Sequence, residues 1–409
     1  MIAKTIDEHL TTRWNDIQPQ LHRKWWLAVG VYLVIYLGGF LLLNFVRPHH
    51  HASQWFLQTA VVATYVLYLL RIALPLNYHP QQKVVYSTIG LATWITVLRG
   101  MLIAMLAGYL FQPWSQTDIG PIQRSWAPGA MYIMAAILDY VDGVVARVRN
   151  HATRLGEFLD VNIDGLGLLV APLLAVWYSQ LPLAYLSVSA AYYLLNMGIW
   201  LRKKVSLPVF KLEPRAGARM VAGFQMGFVG IALLPVFSPP ATTIAAYIFM
   251  IPLLAGFVKD WLFVCGYTTA NSLRAKGWEH GLTSLFSGYV PFFLRIILCI
   301  IGFINLIKAR LEFVAGIEAD SGYLLHFARE MPAIWRWMFF IAACLLMLGI
   351  LARVAAFGIS LSCAWIMNNP AASLETVFVY FCALVILLTG SGIFSAWQPE
   401  DKYLIKKFG

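Results

Sequence analysis

Twelve apolar runs, each closed by charge, proline or glycine, follow one another along the chain. They fall at about 25–46, 55–76, 89–111, 127–148, 157–178, 183–201, 216–238, 241–264, 287–307, 335–352, 354–367 and 374–396. Most reach the roughly 20 residues that an α-helix needs to cross a bilayer. The pattern therefore predicts an all-α polytopic membrane protein of about 11–12 transmembrane helices. The uncertainty in number lies at 335–367, which reads either as one long helix or as two. Ahead of the first run stands the polar, charged stretch Met1–Lys24, and no small-residue cleavage site follows the run, so a retained first helix is expected.

Charges in the connections orient the bundle. Arg147, Arg149 and Arg154 lie in one connection, and Arg202, Lys203, Lys204, Lys211, Arg215 and Arg219 in the next but one. The alternate connections near 179–182 and 238–243 carry no basic residue. Positive loops stay inside, so these basic groups, with Arg13, Arg23 and Lys24, are expected on the cytoplasmic side. The same count places the tail residues Lys402, Lys406 and Lys407 inside only if there are twelve helices.

Composition agrees with the pattern. The chain of 409 residues is 60% hydrophobic and 12% charged, against about 45–50% and about 25% for a soluble domain. The 15 Trp and 19 Tyr suit a protein with two lipid–water boundaries, and the pairs Trp25–Trp26 and Trp335–Trp337 read as interfacial anchors. The net charge of +11 sits in short runs beside apolar segments, which argues against nucleic acid as a partner. Five scattered cysteines without a CxxC pair argue against a disulfide framework or a zinc site. His49, His50 and His51 read as loop residues.

Acids inside a bilayer cost about 2.5–3.5 kcal/mol each on insertion scales and mark function. Four aspartates crowd the ends of two successive helices: Asp139 and Asp142 three apart on one, Asp160 and Asp164 four apart on the next. Both spacings put the pair on one helical face. Four facing carboxylates repel unless a cation neutralises them. With no His or Cys in the cluster, the oxygen-preferring ions Mg²⁺ or Mn²⁺ are the expected occupants, and two of them suit displacement at phosphorus. Gly143, Ala146 and Gly156 leave room beside the acids, and Arg147 can meet a phosphate.

Written in order, these residues are Asp139-x2-Asp142-Gly143-x2-Ala146-Arg147-x8-Gly156-x3-Asp160-x3-Asp164. This resembles the signature of the CDP-alcohol phosphotransferase (CDP-alcohol phosphatidyltransferase) family, with every specified position matched. The resemblance implies a six-helix core, here 84–264, preceded by an extension with two transmembrane helices at 1–83. A cytoplasmic connector at 265–286 and a C-terminal helical membrane block at 287–409 would follow. It further implies that Asp139, Asp142 and Asp160 hold two ions, with Asp164 as general base and touching metal. Asp139, Gly143, Ala146, Arg147 and Gly156 would bind the CDP moiety.

The stretch TWITVLRG is similar to a family pattern through Thr96 and Arg99, but has Thr93 where Asn is usual. Thr96, Arg99, Arg215 and Arg219 are expected to face the phosphate of the acceptor or lipid, and Gln225 is similar to a glutamine found downstream of the family's basic stretch.

The expected activity is transfer of a phosphatidyl group from CDP-diacylglycerol to a small polar alcohol, with release of CMP, at the cytoplasmic side of a bacterial membrane. The alternatives are a CDP-choline or CDP-ethanolamine type of transfer to diradylglycerol, and a cation or proton-coupled transporter using the aspartates. Gly223 and Gly227 form a GxxxG that fits a contact within the core or a homodimer.

Overall fold

The computed structural model describes residues 8–46, 51–80, 85–112, 126–149, 151–210, 216–267, 288–315, 333–368 and 373–397. These form twelve α-helices and no strand. They are α1 (Glu8–Val46), α2 (His51–Ala73), α3 (Leu91–Ala107), α4 (Trp126–Val148), α5 (Arg154–Trp177) and α6 (Leu186–Lys204). After these come α7 (Ala216–Ala232), α8 (Ala241–Val264), α9 (Val290–Ala315), α10 (Ala333–Leu348), α11 (Ala352–Ile366) and α12 (Leu374–Thr389). Five helices (α1, α2, α4, α5 and α8) contain spans long and apolar enough to cross a membrane, and the other apolar helices are shorter. The protein is an all-α polytopic membrane protein.

Helix ends follow local chemistry. α1 starts well before the apolar run, because Leu10, Trp14, Ile17 and Leu21 recur at helical spacing through the polar stretch, and Leu21 is fully buried. α7 stops at Ala232, short of the apolar run, as Pro235 approaches. α12 stops at Thr389 because the sequence turns to Gly-Ser-Gly, with Gly390 at φ +98°. The run 335–367 is two helices. Gly349 takes φ +65° between α10 and α11, and a Cβ there would lie 2.8 Å from the Ser395 backbone, so the chain can turn there only with glycine.

The chain divides into two compact units, Met1–Ser179 with Val229–Pro235, and Gln180–Phe228 with Val236–Gly409. The division runs inside the segment 84–264. Of the connector 265–286, residues from 268 onward lie outside the described set.

In the first unit α3 packs against α1, α2, α4 and α5. Tyr32 on α1 donates to the Val97 carbonyl at 2.6 Å, and Trp55 on α2 donates to the Met105 carbonyl at 3.1 Å. Gly100 lets the neighbours close on α3: a Cβ there would sit 2.8 Å from Val66 and 3.1 Å from Ile163.

In the second unit α6 packs on α8, α8 on α12, and α9 to α12 on one another. Its two deep arginines serve helix ends. Arg295 donates to the Leu346 and Ser391 carbonyls at 2.9 and 2.7 Å, and Arg353 to the Leu387 carbonyl at 2.7 Å. These carbonyls belong to last turns or to the segment beyond them, where no intrahelical donor is available. The five cysteines are free. Trp25 donates to the Leu67 carbonyl at 2.9 Å and Trp26 is exposed. The side chains of Trp335, Trp337 and His51 are outside the described set, as are His49, His50, Lys402, Lys406 and Lys407.

Candidate active site

Three helices of the first unit bring the aspartates together. α4 carries Asp139 and Asp142 towards its C-terminal end, and α5 carries Asp160 and Asp164 in its first turns. Thr153 caps α5, its Oγ1 accepting from the Gly156 N–H at 3.0 Å, while Arg154 and Glu157 pair at 2.7 Å in the first turn. This cap starts the helix close to the end of α4, so the two acid-bearing faces meet.

Ligand oxygens of Asp139, Asp142 and Asp160 lie within 4.8 Å of one another. Between the four acids stands Arg99 of α3, at 0% exposure. Its Nη1 pairs with Asp139 Oδ1 and lies 3.5 Å from Asp142 Oδ2. Its Nη2 lies 2.7 Å from Asp160 Oδ1 and 2.9 Å from Asp164 Oδ1. One turn earlier on the same helix, Thr96 Oγ1 donates to Asp142 Oδ2 at 2.9 Å. Asp142 is the most enclosed of the four, whereas the Asp164 side chain is 45% exposed.

One guanidinium against four carboxylates leaves three negative charges uncompensated. Repulsion at these separations is worth several kcal/mol even at an effective dielectric of about 20. The donor set is all oxygen, so the residues fit hard divalent cations.

The neighbouring residues are small or basic. A Cβ at Gly143 would lie 3.5 Å from Arg147 Nη1, so the exposed Arg147 guanidinium passes close to the Gly143 backbone. Ala146 is partly exposed beside them. A Cβ at Gly156 would meet the hydroxyls of Thr153 and Thr93, each at 3.3 Å, which puts Thr93 at the start of the signature's second half.

Residues 77–80 and 85–90 border the α4–α5 connection. The Arg154 N–H donates to the Tyr78 carbonyl at 3.0 Å, and the Tyr86 and His151 rings lie 4.0 Å apart. Asn77, fully buried, ties this segment through the Tyr86 and Thr88 carbonyls at 2.9 and 3.1 Å. Burial, with His79 nearby, holds the His151 imidazole below the ordinary histidine range.

The sequence pattern pointed to the acids, Gly143, Ala146, Arg147, Gly156, Thr96 and Arg99, and all of these lie in one region. Thr96 and Arg99 contact the aspartates themselves. Arg215 lies outside the described residues, and Arg219 sits in α7 with its side chain undescribed. Gln225 is buried on α7. Asn77, Tyr86 and His151 stand outside that pattern. A lone His in a short connection carries no sequence signal, although Thr153 three residues before Gly156 has the spacing of a helix cap.

The family model described as CDP-alcohol phosphatidyltransferase matches residues 89–270, the stretch that contains α3 to α8. Similar proteins named CDP-diacylglycerol–glycerol-3-phosphate 3-phosphatidyltransferase occur in three bacteria. That of Yersinia enterocolitica is 30% identical over 104 residues, 24% of this chain and 52% of the relative. That of Salmonella choleraesuis is 31% identical over 103 residues, 23% of this chain and 51% of the relative. That of Sodalis glossinidius is 28% identical over 104 residues, again 24% of this chain and 52% of the relative. The chain spans about half the length of the relatives it matches. No solved structure matches it. Over residues 89–270 the chain carries a CDP-alcohol phosphatidyltransferase domain.

Proposed function

We propose that the protein is a membrane transferase that moves a phosphatidyl group from CDP-diacylglycerol to a small phosphorylated alcohol such as glycerol 3-phosphate, releasing CMP. The observation that carries this reading is the convergence of Asp139, Asp142, Asp160 and Asp164 around Arg99, on residues that match the family signature. The relatives' names supply the donor and the acceptor.

Asp139, Asp142 and Asp160 would hold two Mg²⁺ or Mn²⁺ ions, and Asp164 could add a further oxygen. When bound, such ions neutralise charge on the pyrophosphate and on the departing CMP. The acceptor hydroxyl oxygen bonds to the phosphorus that carries diacylglycerol, and the bond from that phosphorus to the CMP oxygen breaks. Asp164, partly exposed and outside the trio whose oxygens converge, takes the hydroxyl proton. Arg147 lies over the Gly143 backbone, where it can pair with a phosphate of the CDP moiety. Thr96 fixes the Asp142 carboxylate by its hydrogen bond. Arg215 and Arg219 suit the acceptor phosphate, which favours a phosphorylated alcohol. The basic connections support a cytoplasmic face for this rim, where a water-soluble acceptor would meet a lipid donor.

The test is CMP release by the purified full chain with Mn²⁺ and defined pairs. CDP-diacylglycerol with glycerol 3-phosphate should release CMP, and CDP-choline with diacylglycerol should not. Release from the second pair alone would reverse which substrate carries the lipid. Release from no pair would return the aspartates to a transport role.

A further inference from the structure

Arg99 has no part in the bond-making described above, yet it is the residue most completely enclosed by the four acids. Both terminal nitrogens are engaged by carboxylates, and the buried Nε has no hydrogen-bond partner. The guanidinium is therefore placed by the carboxylates and not by a balanced set of its own donors. Its partners come from two helices: Asp139 and Asp142 on α4, Asp160 and Asp164 on α5. Three of the four are the carboxylates that converge closely enough to share an ion.

We infer that Arg99 is a positioning residue acting as a resident counter-cation: without divalent ions it holds α4 and α5 together through the four carboxylates, and it competes with those ions for the same oxygens. The inference rests on the reading of the aspartates as ion ligands.

Two physical consequences follow. Without the guanidinium the apo site would hold four negative charges with no resident cation, so α4 and α5 would separate more readily. With ions present the same loss is made good, because each ion brings two positive charges to those oxygens. Coupling between two ligands of one site is reciprocal. If Arg99 weakens ion binding, ion binding weakens the hold of Arg99, and removing the arginine must tighten the ions. A pillar that only fills space would show no such coupling.

The experiment uses the full chain in nanodiscs, without substrate, as wild type, Arg99→Gln and Arg99→Lys. Mn²⁺ affinity is measured by calorimetry, and the melting temperature in EDTA and in saturating Mn²⁺. Arg99→Gln should bind Mn²⁺ about tenfold tighter or more. It should melt about 5 °C lower in EDTA, and regain most of that loss in Mn²⁺. Arg99→Lys keeps the charge as a single point donor and should fall between the two. If Arg99→Gln does not fold in EDTA, the Arg99→Lys comparison with wild type decides, with the same direction expected.

Wild-type binding of Mn²⁺ with no tightening in either variant, and equal melting losses in EDTA and Mn²⁺, would overturn the inference alone. A wild-type chain that neither binds Mn²⁺ nor changes its melting temperature would overturn the ion reading beneath it, and the inference with it.

Discussion

Asp164→Asn separates chemistry from architecture. Asp164 contacts Arg99 Nη2 at 2.9 Å, but its side chain is 45% exposed, and Arg99 keeps Asp139, Asp142 and Asp160 when Asp164 is neutralised. Arg99 is buried, but neutralising Asp164 also removes its repulsion from the other three carboxylates, and the asparagine oxygen can still accept from the guanidinium. The melting temperature should hardly move. Loss of a general base, by contrast, costs about 10²–10⁴-fold in rate, which is about 3–5 kcal/mol of barrier at 1.36 kcal/mol per decade. The assay is CMP release at saturating Mn²⁺ and CDP-diacylglycerol, with CDP-diacylglycerol binding and thermal unfolding measured on the same preparation. Turnover should fall by at least about a hundredfold while binding and melting temperature stay near wild type. Equal losses of binding and rate would make Asp164 an ion ligand first. A rate within tenfold of wild type would remove it from proton transfer altogether.

Other substitutions probe what surrounds it. Thr96→Val removes a hydrogen bond to the buried Asp142 carboxylate and should cost about 1.5–3 kcal/mol. Thermal unfolding in EDTA checks this, with Thr96→Ser expected to retain most of the stability. Gly100→Val drives side-chain atoms into Val66 and Ile163 and should cost about 1–3 kcal/mol. It should lower activity as α3 shifts Arg99, and Val66→Ala in the same chain should restore part of both. The fold favours neutral His151, so its contribution to local stability is present above the ordinary histidine pKa of about 6.5 and is lost as pH falls. Amide protection factors at 151–154, corrected for the intrinsic slowing of exchange, should fall below that pH, and His151→Gln should flatten the dependence.

Most of the helical order and the acids of the site were readable from periodicity and spacing. Asp139 with Asp142, and Asp160 with Asp164, lie at helical intervals on successive helices, so each pair's shared face follows from geometry. What linear spacing could not carry was contact between helices. Arg99 meets residues 40 to 65 positions away. The family resemblance implies that it faces a substrate phosphate, whereas its four carboxylate partners belong to two different helices. The start of α1 was obscured because its amphipathic stripe, ending at buried Leu21, is diluted by polar neighbours. The break between α10 and α11 depends on one glycine at φ +65°, four residues before Arg353, the charge that interrupts the apolar run in the sequence. The collar of Asn77, Tyr86 and His151 is held largely by backbone carbonyls, which residue identity does not announce.

Transfer of a phosphatidyl group is the role we propose for this aspartate cluster. Its most direct test follows radiolabelled glycerol 3-phosphate into extractable lipid, using purified wild type, Asp139→Asn and Asp160→Asn with CDP-diacylglycerol and Mn²⁺. Label should enter lipid one for one with CMP released by the wild-type chain, and both variants and EDTA treatment should abolish it. Incorporation that survives in both variants, or a wild-type chain that makes neither labelled lipid nor CMP, would contradict the account.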